Sequence, residues 1–566
     1  MADYDLLIRN ALLYDGTGTA PFYGTLAVKD GSIAGIWSKE EYDLAGKSLW
    51  NTAISGPEAE KGTASCRERV NFAELDALSV HAETAVDADG LALAPGFIDS
   101  HTHADQAIFG NPDRTHVLRM GVTTEIGGNC GHSNSPFPRE VSEAEKAGLA
   151  RASGRAQMFY SLREEKEAVR ALPLGTNQKY LTGHNTLRTF AMGLANRAPS
   201  DAELAEMKRL LEGAMEEGSL GLSTGLSYEP GIYSRTEELA ELAKVAAEHG
   251  GIYASHSRSE SAGLFRAVQE CIDIARIANL PVIVSHFKVV GKEFWPRCAA
   301  ALAMFDKAAE EGLSVTMDAY PYCAVSTTTT SAIPPQFLDQ GKEALARMLY
   351  DPQVAEAIRK EIYEIDDPSW DNSMLHVGLE NFLIVGADRT PEYVGMTYAE
   401  AGKRLRISPF DAMVKIMREN GAAVRDVRFA MCEENVEAIL SHPLCTVGSD
   451  GIYVPGRDKL CHPRALGTFP RYLGHYIRER KILTREEGIR RITGMPAERF
   501  GLGKKGFLRT GLDADLVLFD YDGIRDGADF MHPFTPNTGI YKVYVKGILE
   551  LEDNEPTGAA CGEMLN

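Results

Sequence analysis

No apolar run in this sequence approaches the about 20 residues that a membrane-spanning helix needs, so a membrane protein is not expected. The start, "MADYDLLIRNALLYDGTG", places Asp3 and Asp5 where a secretory leader carries positive charge, which implies a cytoplasmic protein. Nine cysteines are scattered without paired spacing, an odd number that argues against a disulfide framework and leaves most of them as small core residues. Basic charge is also short: 59 Lys and Arg face 80 Asp and Glu, a formal net charge of −21. No stretch concentrates Lys and Arg as a phosphate-backbone partner requires, so nucleic acid is not an expected ligand.

What is present is an ordinary globular composition, 44% hydrophobic and 25% charged, with 53 Gly for tight connections. A chain of 566 residues exceeds one small core and implies a large domain of barrel size with smaller additions. Assembly into a homo-oligomer is left open.

Both ends of the chain carry short alternating runs. "DLLIRNALLYD" and "GTLAVKDGSIAGI" at the front, with "GFLRTGLDADLVLFD" and "IYKVYVKGILEL" at the back, read as strands bent at Gly. The two ends, 1–94 and 495–566, are therefore expected to build one small β-sandwich domain around a central insertion. Residues 38–88 form a polar stretch of weak periodicity, read as a surface insertion.

Between 95 and 494 the pattern becomes brief apolar strands, each followed by a charged amphipathic helix. The strand candidates are "LALAPGFIDSH", "GVTTEIGG", "KYLTGHN", "LGLSTGL", "GGIYASHS", "LPVIVSHFK", "LSVTMDAYPY" and "TVGSD". Helical runs such as "TEELAELAKVAAEHG" and "FRAVQECIDIARIANL" close on Gly, Asn or Pro stop signals. Repeated βα units require a parallel sheet covered on both faces, and the strand count favours a (β/α)8 TIM-like barrel over an open sheet. So do the polar residues. His101, Cys130, His184, His256, His286, Tyr320 and Asp450 each follow an apolar strand, at the C-terminal mouth where such a barrel carries its chemistry. The segment 327–425 interrupts the repeat and is read as a lid or insertion.

His101 and His103 stand two apart after "APGFIDS", so on extended backbone both rings project from one face and can share a metal ion. His256 and His286 each end a separate buried run, and a late "VGSD" supplies Asp450. Four imidazoles and a carboxylate at strand ends are ligands of the types zinc prefers.

This arrangement resembles the amidohydrolase superfamily, and within it the N-acyl-D-amino-acid deacylases, the D-aminoacylases. The segments "GVTTEIGGNCG", "LTGHNTLR", "GLSTGLSYEPGIYSRTEEL", "SHSRSE", "SHFKVVG", "DAYPYCAVSTT", "GSDG" and "HPRALGTFPRYLG" look like that family's strand ends, in its order. The resemblance covers nearly the whole chain. It implies that Cys130 joins His256 and His286 in holding one Zn2+ tightly, while His101, His103 and Asp450 form a second, weaker or partly occupied site. A thiolate would replace the carboxylated Lys that bridges metals in many amidohydrolases, for which no clear candidate exists here. The implied chemistry is attack on an amide carbonyl by water whose pKa zinc lowers to roughly 7, with Asp450 as general base and then general acid.

For the substrate, an N-acyl amino acid or related small amide, the resemblance assigns a clamp on the α-carboxylate to Arg464, Tyr320, Ser326 and Lys288, and a side-chain pocket near Tyr228. Lys288 could instead meet an acidic side chain. His184 is read equally as an extra donor and as part of a packed turn. Two other functions are weighed against the deacylase. The same metal chemistry could act on a cyclic or xenobiotic amide or carbamate, as in hydantoinase-like relatives, but such a substrate leaves the clamp unpaired. A silent scaffold would have lost ligands, and here all six stand. Two segments depart from the family pattern: the insertion at 38–88 is long, and "GIYVPGRDKLCHPR" is extended by a few residues, which shifts Arg464 along its loop.

Overall fold

The structure is a computed structural model that describes residues 3–38, 81–136, 157–365, 367, 369–452 and 459–566. It opens with the antiparallel strands β1 (Tyr4–Leu13), β2 (Phe22–Lys29) and β3 (Ser32–Ser38). Leu6, Ile8, Ala11 and Leu13 of β1 pack with Leu26 and Val28 of β2 in a local apolar core, as the alternation requires. The β2–β3 turn is Asp30-Gly31, both at positive φ, the pair that matches a two-residue hairpin to strand twist.

Strands β4 (Ala82–Asp87) and β5 (Ala92–Pro95) both run parallel to β1. This corrects the reading of 38–88 as surface insertion throughout. β4 is held by its backbone ladder while its side chains are largely exposed, so it carries no apolar alternation to betray it. The rest of that stretch, 39–80, lies outside the described residues.

All eight strand candidates of the central region form strands. β6 (Phe97–Asp99), β7 (Val122–Gly127) and β8 (Asn177–Tyr180) make one parallel sheet. After Leu181 the chain continues as β9 (Thr182–Gly183), then β10 (Gly221–Gly225), β11 (Ile252–His256), β12 (Val282–Val284) and β13 (Val315–Ala319), parallel neighbours in that order. Helices Asp201–Glu216, Thr236–Glu248, Leu264–Ala278 and Cys298–Glu310 connect successive strands. The first begins with a reciprocal capping box between Ser200 and Glu203, and the third stops on Asn279 in the left-handed conformation.

From β13 the chain enters an excursion with its own sheet: β14 (Ala324–Thr328), β15 (Phe382–Gly386) and β16 (Arg425–Phe429), antiparallel in the order β14-β16-β15. Phe382, Ile384, Tyr398, Phe410, Met413 and Met417 form a separate core there, so the 327–425 segment is a folded unit, slightly wider than the sequence pattern marks. β17 (Cys445–Val447) then returns beside β13. Ser100 N donates to Val447 O at 3.3 Å and Asp450 N to His101 O at 2.8 Å, so the chain after β17 lies against the chain after β6.

The last strands are β18 (Leu516–Phe519), β19 (Ile540–Val545), β20 (Ile548–Glu552) and β21 (Glu555–Pro556). β18 pairs with β5, so both chain ends enter one nine-stranded sheet rather than the two sheets of the expected sandwich. That sheet meets the parallel strands through Phe97, whose ring stands 6.1 Å from Phe469 and 5.8 Å from Phe519. Gly121 (φ +82°) lies against this ring, where a Cβ would come within 2.7 Å of it. Among the described residues no helix is long and apolar enough to cross a membrane.

Candidate metal centre

Five parallel strands deliver candidate ligands to one place. His101 and His103 follow β6, Cys130 follows β7, His256 ends β11, His286 follows β12 and Asp450 follows β17. Three of these turn sharply on leaving their strands. Cys130 (φ 54°), His286 (φ 37°) and Asp450 (φ 49°) adopt left-handed backbone, which costs a residue with a side chain about 1–3 kcal/mol and persists where the surroundings impose it.

The six side chains are buried and form two donor groups that share Cys130: His101, His103, Cys130 and Asp450, and Cys130, His256 and His286, with ligand atoms in each group within 4.8 Å of one another. Cys130 Sγ lies 3.4 Å from both His101 Nε2 and His286 Nε2. His103 Nε2 is 3.1 Å from Asp450 Oδ1. His256 Nε2 meets Ser227 Oγ at 2.5 Å, whereas its Nδ1 is buried with no hydrogen-bond partner. An orphaned imidazole nitrogen beside a thiol and a second imidazole fits a metal ion, since buried polar atoms otherwise find partners.

The charges fit as well. Burial pushes the Cys130 thiol up, but His101 and His286 beside it outweigh burial and hold it well below its ordinary value. Burial likewise raises Asp450, and Arg464 with His103 brings it well below the carboxylate range. Burial lowers His103, yet Asp450 and Cys130 raise it to about 9. The cluster thus sets a thiol and a carboxyl drawn toward their ionised forms beside His101, His103 and His286, whose proton affinity they raise, a charge arrangement that a divalent cation would satisfy.

Around this centre the structure assembles most of the residues assigned to the substrate. Tyr228, Lys288, Tyr320, Ser326 and Arg464 line one cavity together with His256, His286 and Asp450. Tyr320 Oη is buried without a hydrogen-bond partner, and its ring lies 4.8 Å from the Arg464 guanidinium. Arg464 differs from expectation. Its Nη1 is 2.8 Å from Asp450 Oδ2 and its Nη2 donates to Ser326 O at 3.3 Å, so it grips the candidate general base as well as facing the cavity. The six residues 453–458 before it, part of the extended loop, lie outside the described residues.

His184 is not brought into the cluster. It is fully buried, with Nε2 2.8 Å from Glu238 Oε1, and Arg188 holds both oxygens of the same carboxylate at 2.8 and 2.7 Å. This is the packed-turn reading, with Glu238 on the covering helix Thr236–Glu248. His184→Ala is therefore expected to destabilise the fold by about 1–3 kcal/mol, through one lost buried hydrogen bond, and to leave kcat/KM of the folded enzyme within about twofold. Thermal melting and steady-state kinetics on one preparation check both halves.

Three residues escaped the sequence reading. Asp318, in "MDAYPY", accepts from His286 N at 2.7 Å and lies 3.4 Å from His101 Nδ1. Glu260, in "SHSRSE", lies 3.2 Å from His286 Nδ1 and accepts from Lys288 Nζ at 2.5 Å. Ser227 faces His256. Each addresses the far nitrogen of a candidate ligand or its backbone, the role of outer partners that set ring orientation and tautomer. Burial would raise Glu260, but Lys288 and the histidines hold it down to about 2.

Comparison with known proteins gives a consistent picture. The model of the amidohydrolase family matches residues 84–286 and 398–548. The chain is 34% identical over 491 residues to a D-aminoacylase of Alcaligenes xylosoxydans xylosoxydans, covering 86% of this chain and 89% of that one. It is 31% identical over 561 residues to an N-acyl-D-aspartate deacylase of the same organism, covering 99% and 94%. A solved N-acyl-D-glutamate deacylase from Bordetella bronchiseptica, complexed with zinc and a phosphonate mimic of the tetrahedral intermediate, matches 99% of both chains with a TM-score of 0.77 and 31% identity.

Proposed function

Since this chain belongs to the amidohydrolase family, we propose that it hydrolyses the linear amide bond of N-acyl-D-amino acids to a D-amino acid and a carboxylate, using zinc. The observation that carries the reading is the buried thiolate Cys130 shared between two donor groups, with Asp450 in one of them and the clamp residues lining the same cavity. Cys130, His256 and His286 would hold the tighter ion, and His101, His103 and Asp450 the weaker site. We read the eight parallel strands, β8 and β9 counted as one, as a closed barrel over 95–494, with the sheet of the chain ends as a second domain over 1–94 and 495–566. The hydrogen bonds between the segments after β6 and β17 support that closure.

When bound, zinc supplies Lewis acidity, making water acidic enough to serve as a nucleophile near neutral pH. The chain's own residues do the rest. Asp450, kept ionised by Arg464 and His103, takes the proton from the attacking water and gives it to the leaving nitrogen. Asp318 stands 3.4 Å from the far nitrogen of His101, and Lys288 Nζ, itself held by Glu260, meets that of His286 at 2.8 Å, with each Nε2 turned toward Cys130. Tyr320, with an unspent phenol O–H, and Arg464 are the donors for the substrate's α-carboxylate, with the Ser326 hydroxyl beside them. The D-configuration rests on the relatives.

The test is release of free amino acid from paired N-acetyl-D- and N-acetyl-L-amino acids with acidic, apolar and aromatic side chains. Turnover of D-forms alone, abolished by a chelator and restored by zinc, is the expected result. Turnover of cyclic amides with none of the N-acyl substrates would replace this reading with a hydantoinase-like one.

A further inference from the structure

A recess lined by Gly386, Arg425 and His462 shares Ser326 and Arg464 with the catalytic cavity. Five Lys and Arg side chains line the two, and four have a partner among the described residues. Lys288 is held by Glu260 at 2.5 Å, and Arg464 by Asp450 at 2.8 Å. Arg428 uses its donors on Asp426 Oδ1, Ser373 Oγ, Thr328 O and Ser331 Oγ. Lys459, at the outer rim, stands 3.4 Å from Asp388.

Arg425 is the exception. As the first residue of β16 it projects from the strand face opposite Asp426 and Arg428, and no described residue accepts a hydrogen bond from its guanidinium or pairs with it. Its stem crosses β15 at Gly386, where an added Cβ would touch Arg425 Cβ at 3.4 Å. Arg464, Cys461, Asp426 and Tyr228 act on its charge, and Asp426 is already bonded to Arg428; burial first, then the charge of Arg464, holds its pKa below the ordinary arginine value. A half-buried guanidinium beside a second one, with no ion-pair partner among the described residues, is a site for an anion.

Resting on the deacylase reading, we propose that Arg425 receives a second carboxylate of the substrate, that of an acidic amino-acid side chain, so that the preferred substrates are N-acyl-D-aspartate or N-acyl-D-glutamate. A single substrate carboxylate on the Arg464 clamp leaves Arg425 unpaired. Arg425 and Arg464 line the same recess, so a carboxylate on the substrate's side chain would have a second guanidinium to meet there. The same chemistry could come from the acyl end, as in an N-succinyl group, and the experiment separates the two.

The experiment compares kcat/KM of the full-length zinc-loaded enzyme and of Arg425→Leu on N-acetyl-D-aspartate, N-acetyl-D-glutamate, N-acetyl-D-leucine and N-succinyl-D-leucine. The expected result is a wild-type preference for an acidic side chain, lost about 100-fold in Arg425→Leu, with N-acetyl-D-leucine changed less than about threefold. That last substrate also reports whether the variant is folded, and Arg425→Lys should recover part of the acidic activity. A wild-type preference for N-acetyl-D-leucine, an equal fall on every substrate, or a response confined to N-succinyl-D-leucine would overturn the proposal while leaving the deacylase reading intact. Turnover of no N-acyl-D-amino acid would overturn both.

Discussion

Cys130→Ser is expected to lower kcat/KM on the order of a thousandfold or more and to leave the protein with less than one zinc per chain. The Lewis-acid contribution of a metal is several kcal/mol, and each 1.36 kcal/mol is about a factor of ten in rate. Cys130 is the one residue common to both donor groups, so its loss weakens both. Serine keeps the shape but not the charge. The surrounding imidazoles bring the thiol well below its ordinary value, whereas a hydroxyl starts far too high for the same neighbours to ionise it. Metal analysis after dialysis and kinetics on the same sample check the result together. A variant with full zinc content and near-normal kcat/KM would remove the thiolate from the account.

Asp450→Asn is expected to behave differently: kcat falls about a thousandfold to ten-thousandfold, KM changes little, and one zinc per chain remains on Cys130, His256 and His286. Asparagine preserves the shape beside His103 and Arg464 but cannot carry a proton from water to the leaving nitrogen. It also leaves the buried Arg464 guanidinium without the anion 2.8 Å away, so a lower melting temperature should accompany the loss. Loss of bound zinc down to zero would instead make Asp450 an essential ligand of the tight site. A kcat within tenfold of wild type would assign proton transfer to another group.

The candidate ligands were legible because each is a polar residue terminating an apolar run, a contrast visible in one dimension. Their supporting residues were not. Asp318 is useful to His286 only because β12 and β13 are neighbours, and Glu260 only because its loop folds back beneath Lys288. No local signal announces either. β4 was hidden for the opposite reason, since its ladder is intact while its side chains face outward. The 327–425 segment offered no readable pattern because β14 and β16 lie far apart in sequence and pair only in three dimensions. Arg464, assigned to the substrate by its motif, lines the cavity, but nothing in one dimension reveals that it also meets Asp450.

The left-handed backbone at Cys130, His286 and Asp450 has an evolutionary side. Glycine would relieve each position, so these are places where drift toward greater stability and retention of the chemistry pull in opposite directions. A lineage released from catalysis would be free to relax them one at a time, gaining stability with each step. All three instead hold a thiol, an imidazole and a carboxylate, so half of the six candidate ligands are placed at the expense of backbone strain.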